Sequence, residues 1–179
     1  MYLQSSILRL RAVEPADADL MWLWETDSSQ WAENGIRAPF SHNNLKQYAE
    51  TYDADPIRSG QLRLIVELTP ADNETECKAI GLVDLYDIDA VNRTAYTAIY
   101  ICRDMRGKNY ASEALLLLEP YCLQLLNLRI LAAKICASNT GSIRLFEQLG
   151  YIREGCLSDW MMLGAQTFDL LYYTKHLKC

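Results

Sequence analysis

The chain of 179 residues has no excess of basic charge: 17 Lys and Arg stand against 23 Asp and Glu, a formal net charge of −6. That balance argues against a general nucleic-acid binder, whose affinity rests on neutralising phosphates. Its six cysteines, at positions 77, 102, 122, 136, 156 and 179, form no CxxC pair and no metal-ligand spacing. Cys102, Cys122 and Cys136 lie in apolar runs and read as reduced core residues. No apolar run approaches the ~20 residues a membrane helix needs, and the first residues lack the basic and apolar regions of a signal peptide. A cytoplasmic protein with no membrane partner is the expectation. No repeat, linker or low-complexity tract divides the sequence, so a single domain over residues 1–179 is expected. The two Asn-x-Thr matches, at Asn73 and Asn92, carry no weight as glycosylation sites. Read as a calcium loop, Asp84, Asp87 and Asp89 lack the required Gly and distal Glu, so no metal is expected.

What is present is a pattern of alternating strands and helices. Half the residues are hydrophobic, enough for a sizeable core at this length. Ile7 to Arg11 alternates apolar and basic residues as a half-buried strand. Glu14-Pro15-Ala-Asp17 then opens a helix carrying Trp22 and Trp24, both read as core anchors. Trp31 to Phe40 is loop-like, and Ser41 caps a helix running to Tyr52, with His42 as a surface residue of that cap. Leu62–Leu68, Lys78–Tyr86 and Thr94–Cys102 read as three strands, the last two joined by an acidic turn from Asp87 to Asn92. A Leu-rich helix spans Glu113 to Leu126, with a kink expected near Leu116 because Pro120 cannot donate a backbone hydrogen bond. Leu128–Ile135 reads as a buried strand, and residues 151–154 and 167–173 as a final antiparallel pair around Gly164.

The most informative stretch is Arg103-Asp-Met-Arg106-Gly107-Lys108-Asn109-Tyr110-Ala111, between a strand and a helix. The first N–H groups of a helix have no internal partner, and its dipole places partial positive charge there. A glycine-containing turn leading into such an end binds phosphate well. Taken alone the stretch reads equally as a solvated basic turn. A second stretch follows: a strand end, an Asn139 cap, an amphipathic helix and the terminator Gly150.

Together these stretches resemble the GNAT superfamily of acyl-CoA-dependent N-acetyltransferases. The family's pyrophosphate loop, Arg/Gln-x-x-Gly-x-Gly/Ala, is matched at Arg106 and Ala111, with Asn109 in place of the inner Gly. Asn tolerates positive φ better than most residues. The later family segment is matched at Asn139, Ser142, Phe146, Gly150 and Tyr151. The run Leu8-Arg-Leu-Arg11 with Glu14-Pro15 is similar to the ribosomal-protein N-acetyltransferase branch. Gly81-Leu-Val-Asp84-Leu-Tyr-Asp87-Ile88 and Trp31-x-Glu33 are similar to bacterial spermidine N-acetyltransferases.

The resemblance implies an α/β fold, one domain with a mixed, mostly antiparallel sheet flanked by helices. It implies acetyl-CoA as co-substrate and a primary amine as acceptor, a polyamine such as spermidine being the first reading and a protein N-terminus the alternative. A non-catalytic CoA-binding module is a third. By the resemblance, the backbone of Tyr100, Ile101 and Cys102 pairs with pantetheine. The loop Arg106, Gly107, Lys108, Asn109, Tyr110 and Ala111, with Asn139 and Ser142, completes the cofactor site. An amine with a pKa near ~10 must lose a proton before attack, and the leaving thiolate accepts one. Asp84 is the candidate base. Glu33 and Asp87 are candidates to meet a cationic acceptor. Relatives carry a Tyr acid where this chain has Phe146, so Tyr151 is the candidate acid, with Tyr110 and Tyr100 as substitutes. A homo-oligomer is compatible with the family.

Overall fold

The structure is a computed structural model that describes all residues except 1–2, 29–30, 32–37, 54, 71–76 and 179. Among the described residues the fold is α/β, with helices and a seven-stranded mixed sheet, mostly antiparallel, in the strand order β1 (Leu8–Ala12), β2 (Leu62–Leu68), β3 (Lys78–Asp89), β4 (Thr94–Ile101), β5 (Ile130–Cys136), β7 (Gln166–His176), β6 (Ile152–Leu163). The chain divides into two compact units, residues 1–12, 53–132 and 175–179, and residues 13–52 and 133–174.

The first unit opens with β1 (Leu8–Ala12), which pairs antiparallel with β2 (Leu62–Leu68) so that Leu10 faces Val66. Between them in sequence, α3 (Pro56–Ser59) is a single turn capped by Asp55, whose carboxylate accepts from the N–H groups of Ile57 and Arg58. The Asp-Pro pair at its start is a local helix signal that periodicity over four residues is too short to show. β3 (Lys78–Asp89) pairs antiparallel with β2 and with β4 (Thr94–Ile101). β3 runs three residues beyond its expected end at Tyr86. A bulge between Tyr86 and Asp89, with Asp87 at φ 50°, carries the ladder into what reads as a polar turn. Gly81 has no alternative, since a Cβ there would lie 2.1 Å from the carbonyl oxygen of Tyr100.

The long helix α4 (Tyr110–Gln124) starts three residues before its expected first residue and continues through Pro120. It packs against β1 and β4 and buries Ala114, Leu115, Leu118 and Cys122. Burial pushes the Cys122 thiol far above its usual range, so it is a packing residue. Cys136 is buried as well, whereas Cys102 is only half-buried. Lys175 reaches back to Glu119 with contacts of 2.6 and 2.7 Å.

In the second unit a 3-10 turn at Pro15–Asp17 precedes α1 (Ala18–Glu25), and the Asp17 carboxylate accepts from the N–H of Glu14 at 2.8 Å. Trp24 is a core residue, but Trp22 is 40% exposed. The expected pair of core anchors is therefore one anchor and one surface ring, because residues two apart on a helix cannot share a face. Trp22 meets His42 edge-on, and His42 contacts Asp19 at 2.6 Å. α2 (His42–Glu50) is capped by Ser41 as expected. The helix α5 (Thr140–Gln148) leads through Gly150, at φ 84°, to a hairpin of β6 (Ile152–Leu163) and β7 (Gln166–His176). The parallel strand β5 (Ile130–Cys136) passes from the first unit into the second.

Candidate active site

The cofactor candidates of the first unit lie where β4 runs into α4. The N–H of Cys102 donates to the carbonyl of Ile80 at 2.9 Å. Antiparallel pairing alternates, so Tyr100 and Cys102 direct their backbone groups towards β3, while those of Ile99 and Ile101 turn to the other edge. On that edge β4 pairs in parallel with β5, with Thr94–Tyr96 set against Ile130–Ala132. Arg106 Nε donates to the carbonyl oxygen of Ile101 at 2.8 Å, and its guanidinium sits 5.7 Å from the centre of the Tyr100 ring. Of the three expected backbone partners for pantetheine, Ile101 is the one turned away from β3. The Cys102 N–H is used inside the sheet.

After Cys102, a 3-10 turn at Arg103–Met105 delivers the chain to two left-handed residues, Gly107 at φ 74° and Asn109 at φ 65°. The substitution of Asn for the usual inner Gly is accommodated in the conformation that Gly would adopt. Asn109 is the N-cap of α4, yet its side chain makes no capping bond. The helix ladder begins with Glu113 N–H donating to Asn109 O at 3.1 Å, so the N–H groups of Tyr110, Ala111 and Ser112 precede it. A 15-residue helix supplies its full dipole at that end. Lys108 is exposed, with Nζ 3.7 Å from Met105 Sδ. The loop therefore combines an N-terminal helix dipole, unspent amides and two cationic side chains, which suits a pyrophosphate.

Asp84 lies in the same unit, directly opposite Ala98 of β4. Both of its oxygens accept from Arg63, at 2.8 Å from Nε and 2.8 Å from Nη2. Sequence reasoning missed Arg63. The two residues are 21 apart in sequence, and only the β2–β3 register, which sets Arg63 against Asp84, makes the pair visible. Asp87 is exposed at the bulge. Asp89 closes the β3–β4 turn by accepting from the N–H groups of Asn92 and Val91. These bonds and the Asn92 side chain hold its carboxyl below the usual range. Tyr86 and Tyr96 stack across the strands at 5.4 Å.

The second unit holds the later candidates. Asn139 caps α5 with its side-chain oxygen, which accepts from the N–H of Ser142 at 3.0 Å. Asn139 and Ser142 are thus brought together, by a local helix cap. Phe146 and Tyr151 are both buried, at 3% exposure, and their rings meet edge-on with centres 4.9 Å apart. The buried Tyr173 donates to Glu147 of the same helix at 3.0 Å. Glu33 lies outside the described residues. Among the described residues no cluster of His, Cys, Asp and Glu could hold a metal ion, and no helix is long and apolar enough to cross a membrane.

A strand that runs into a left-handed loop and an open helix start suits the pyrophosphate of an acyl carrier, and the class that fits it is the acyl-CoA-dependent transferases. The acetyltransferase (GNAT) domain model matches residues 8–152, and the chain belongs to that family of acetyl-CoA-dependent N-acetyltransferases. It is 31% identical to the spermidine N(1)-acetyltransferase of Escherichia coli K12, over 89% of this chain and 80% of that protein. The putative ribosomal N-acetyltransferase YdaF of Bacillus subtilis is 29% identical, over 93% and 90%. The crystal structure of spermidine N-acetyltransferase from Vibrio cholerae, in complex with CoA and spermine, superposes with a TM-score of 0.83. That match covers 97% of each chain at 22% identity.

Proposed function

We propose that this chain transfers the acetyl group of acetyl-CoA to a primary amine, with the pyrophosphate on the Arg106–Ala111 loop and the pantetheine along the outer edge of β4. The observation that carries the reading is the left-handed, side-chain-uncapped start of α4 just after the end of β4. Lys108 and Arg106 add charge at the pyrophosphate, and Arg106 also ties the loop to Ile101. Asn139 and Ser142 enter by fixing the start of α5. The amine nitrogen attacks the thioester carbonyl, the tetrahedral intermediate collapses, and the C–S bond breaks to release CoA thiolate and the N-acetyl product. The amine's proton goes to water or to a carboxylate such as Asp84, and the thiolate takes one from Tyr151. A CoA-type thiolate with a pKa near ~8.5 leaves adequately even unassisted, so Phe146 is compatible with turnover.

A polyamine such as spermidine is the acceptor to which the E. coli relative points, with Asp87 and Glu33 as its cationic partners. A protein N-terminus is the second reading, and a specific observation favours it: Arg63 already matches the charge of Asp84. The test is thiol release from acetyl-CoA against spermidine, simple monoamines and N-terminal peptides. An amine that raises release well above background hydrolysis supports the reading. Tight CoA binding with no productive amine would leave only a binding module.

A further inference from the structure

Two carboxylates stand in the body of the first unit's sheet on the face that also carries Tyr100 and Ala98, and each is held by arginine. Glu67, 5% exposed, contacts Arg9 and, at 3.2 Å, Arg11. Asp84 has both oxygens on Arg63. The register brings them to one face: Arg9 opposite Glu67, Arg63 opposite Asp84, Asp84 opposite Ala98, and Leu82 opposite Tyr100. Asp84 therefore lies one strand in from the side of β4 assigned to the acyl carrier, on the face it shares with Ala98 and Tyr100, and its charge there is already matched.

We propose that Arg63 is a specificity-determining, positioning residue: by pairing with Asp84 it removes a net negative charge from the sheet face that Asp84 shares with Ala98 and Tyr100 and so turns the enzyme from polycationic acceptors towards singly charged amines, such as a peptide N-terminus. The inference rests on the amine-acetyltransferase reading given above and names its substrate class. The physics is a charge count. A bidentate guanidinium–carboxylate pair has no net charge, and its fixed fork leaves the carboxylate oriented with its two inner lone pairs occupied. A lone ammonium still meets the outer lone pairs of such a carboxylate as a hydrogen-bond donor. A polyamine, whose further ammonium groups gain only from net negative potential, loses that gain. Removing the guanidinium restores one full negative charge at a half-buried position, where charge is screened less than at an open surface.

The experiment uses Arg63→Gln and Arg63→Lys in the full chain, with folding checked by thermal melts. Calorimetric titration of spermidine and of a monoamine into the protein saturated with CoA is read first, because it does not depend on turnover. Arg63→Gln is expected to bind spermidine about tenfold more tightly relative to the monoamine, and Arg63→Lys, which keeps the charge, to stay within about twofold of wild type. Steady-state kinetics should carry the same ratio in kcat/KM, mainly through KM. An unchanged spermidine-to-monoamine ratio in Arg63→Gln, or a ratio that moves equally in Arg63→Lys, overturns the proposal. Failure of wild type to acetylate any amine would refute the parent reading instead, and the binding ratio would still decide the role of Arg63.

Discussion

Two helices of this chain begin with asparagine, and the two starts are built differently. Asn139 at α5 adopts φ −81° and closes the helix with its own carboxamide, accepting from Ser142 N–H. Asn109 at α4 adopts φ 65° and makes no capping bond with its side chain. At α5 the residue is used for what asparagine ordinarily does at a helix start. At α4 it is used for the one property it shares with glycine, tolerance of the left-handed region. The same side chain thus closes one helix end and leaves the other open. An uncapped end with a full dipole forgoes about 1 kcal/mol of capping stabilisation, and binding of an anion there recovers it. The second unit's helix start is closed by its own side chain, and the first unit's is the one proposed to hold the pyrophosphate.

The largest effect that would break this comparison is expected from Gly107→Asp. Gly107 lies at φ 74° with open space around its would-be Cβ, so the penalty is backbone strain plus a negative charge facing the pyrophosphate. Acetyl-CoA affinity should fall by about 100-fold or more, with a stability loss near 1 kcal/mol that denaturant titration would measure. Phe146→Tyr comes next. The ring is 3% exposed and edge-on to Tyr151, so the new hydroxyl must find a partner or cost about 1–3 kcal/mol. If thiolate departure limits the rate, the variant should gain turnover as it loses stability. A pH–rate profile beside a melting curve separates the two. The smallest effect is that of Asn139→Ala, about 1 kcal/mol of stability from the lost cap, with acetyl-CoA affinity within about threefold of wild type.

Much of this arrangement is legible in the residues. Leu62–Leu68 reads as a strand to the residue because β-branched and Leu side chains fill it between polar turns. The caps at Ser41 and Asn139 read directly from residue type and spacing. The start of α4 does not, because Ser112 before Glu113 is an N-cap residue type three positions too late, and Asn109, the actual N-cap, acts through its backbone conformation alone. The end of β3 is hidden for a related reason: Asp87 at φ 50° makes a bulge where the composition reads as a turn. The arginines that match Asp84 and Glu67 are invisible to local patterning, since pairing across strands depends on register. Reading Arg63 and Asp84 as opposite charges at the middle of two neighbouring antiparallel strands would have found one of them.

The most direct test of the contrast makes the same substitution at both helix starts. Asn→Asp leaves shape nearly unchanged and adds one negative charge. At position 139 it supplies an equally good cap favoured by the dipole, and at position 109 it sets a like charge against the bound pyrophosphate. Titration calorimetry of acetyl-CoA should show Asn109→Asp weakened by about tenfold or more and Asn139→Asp within about threefold of wild type, the latter with stability kept or raised. Equal affinities in the two variants, or a loss confined to Asn139→Asp, would contradict the assignment of the α4 start as the acyl-carrier site.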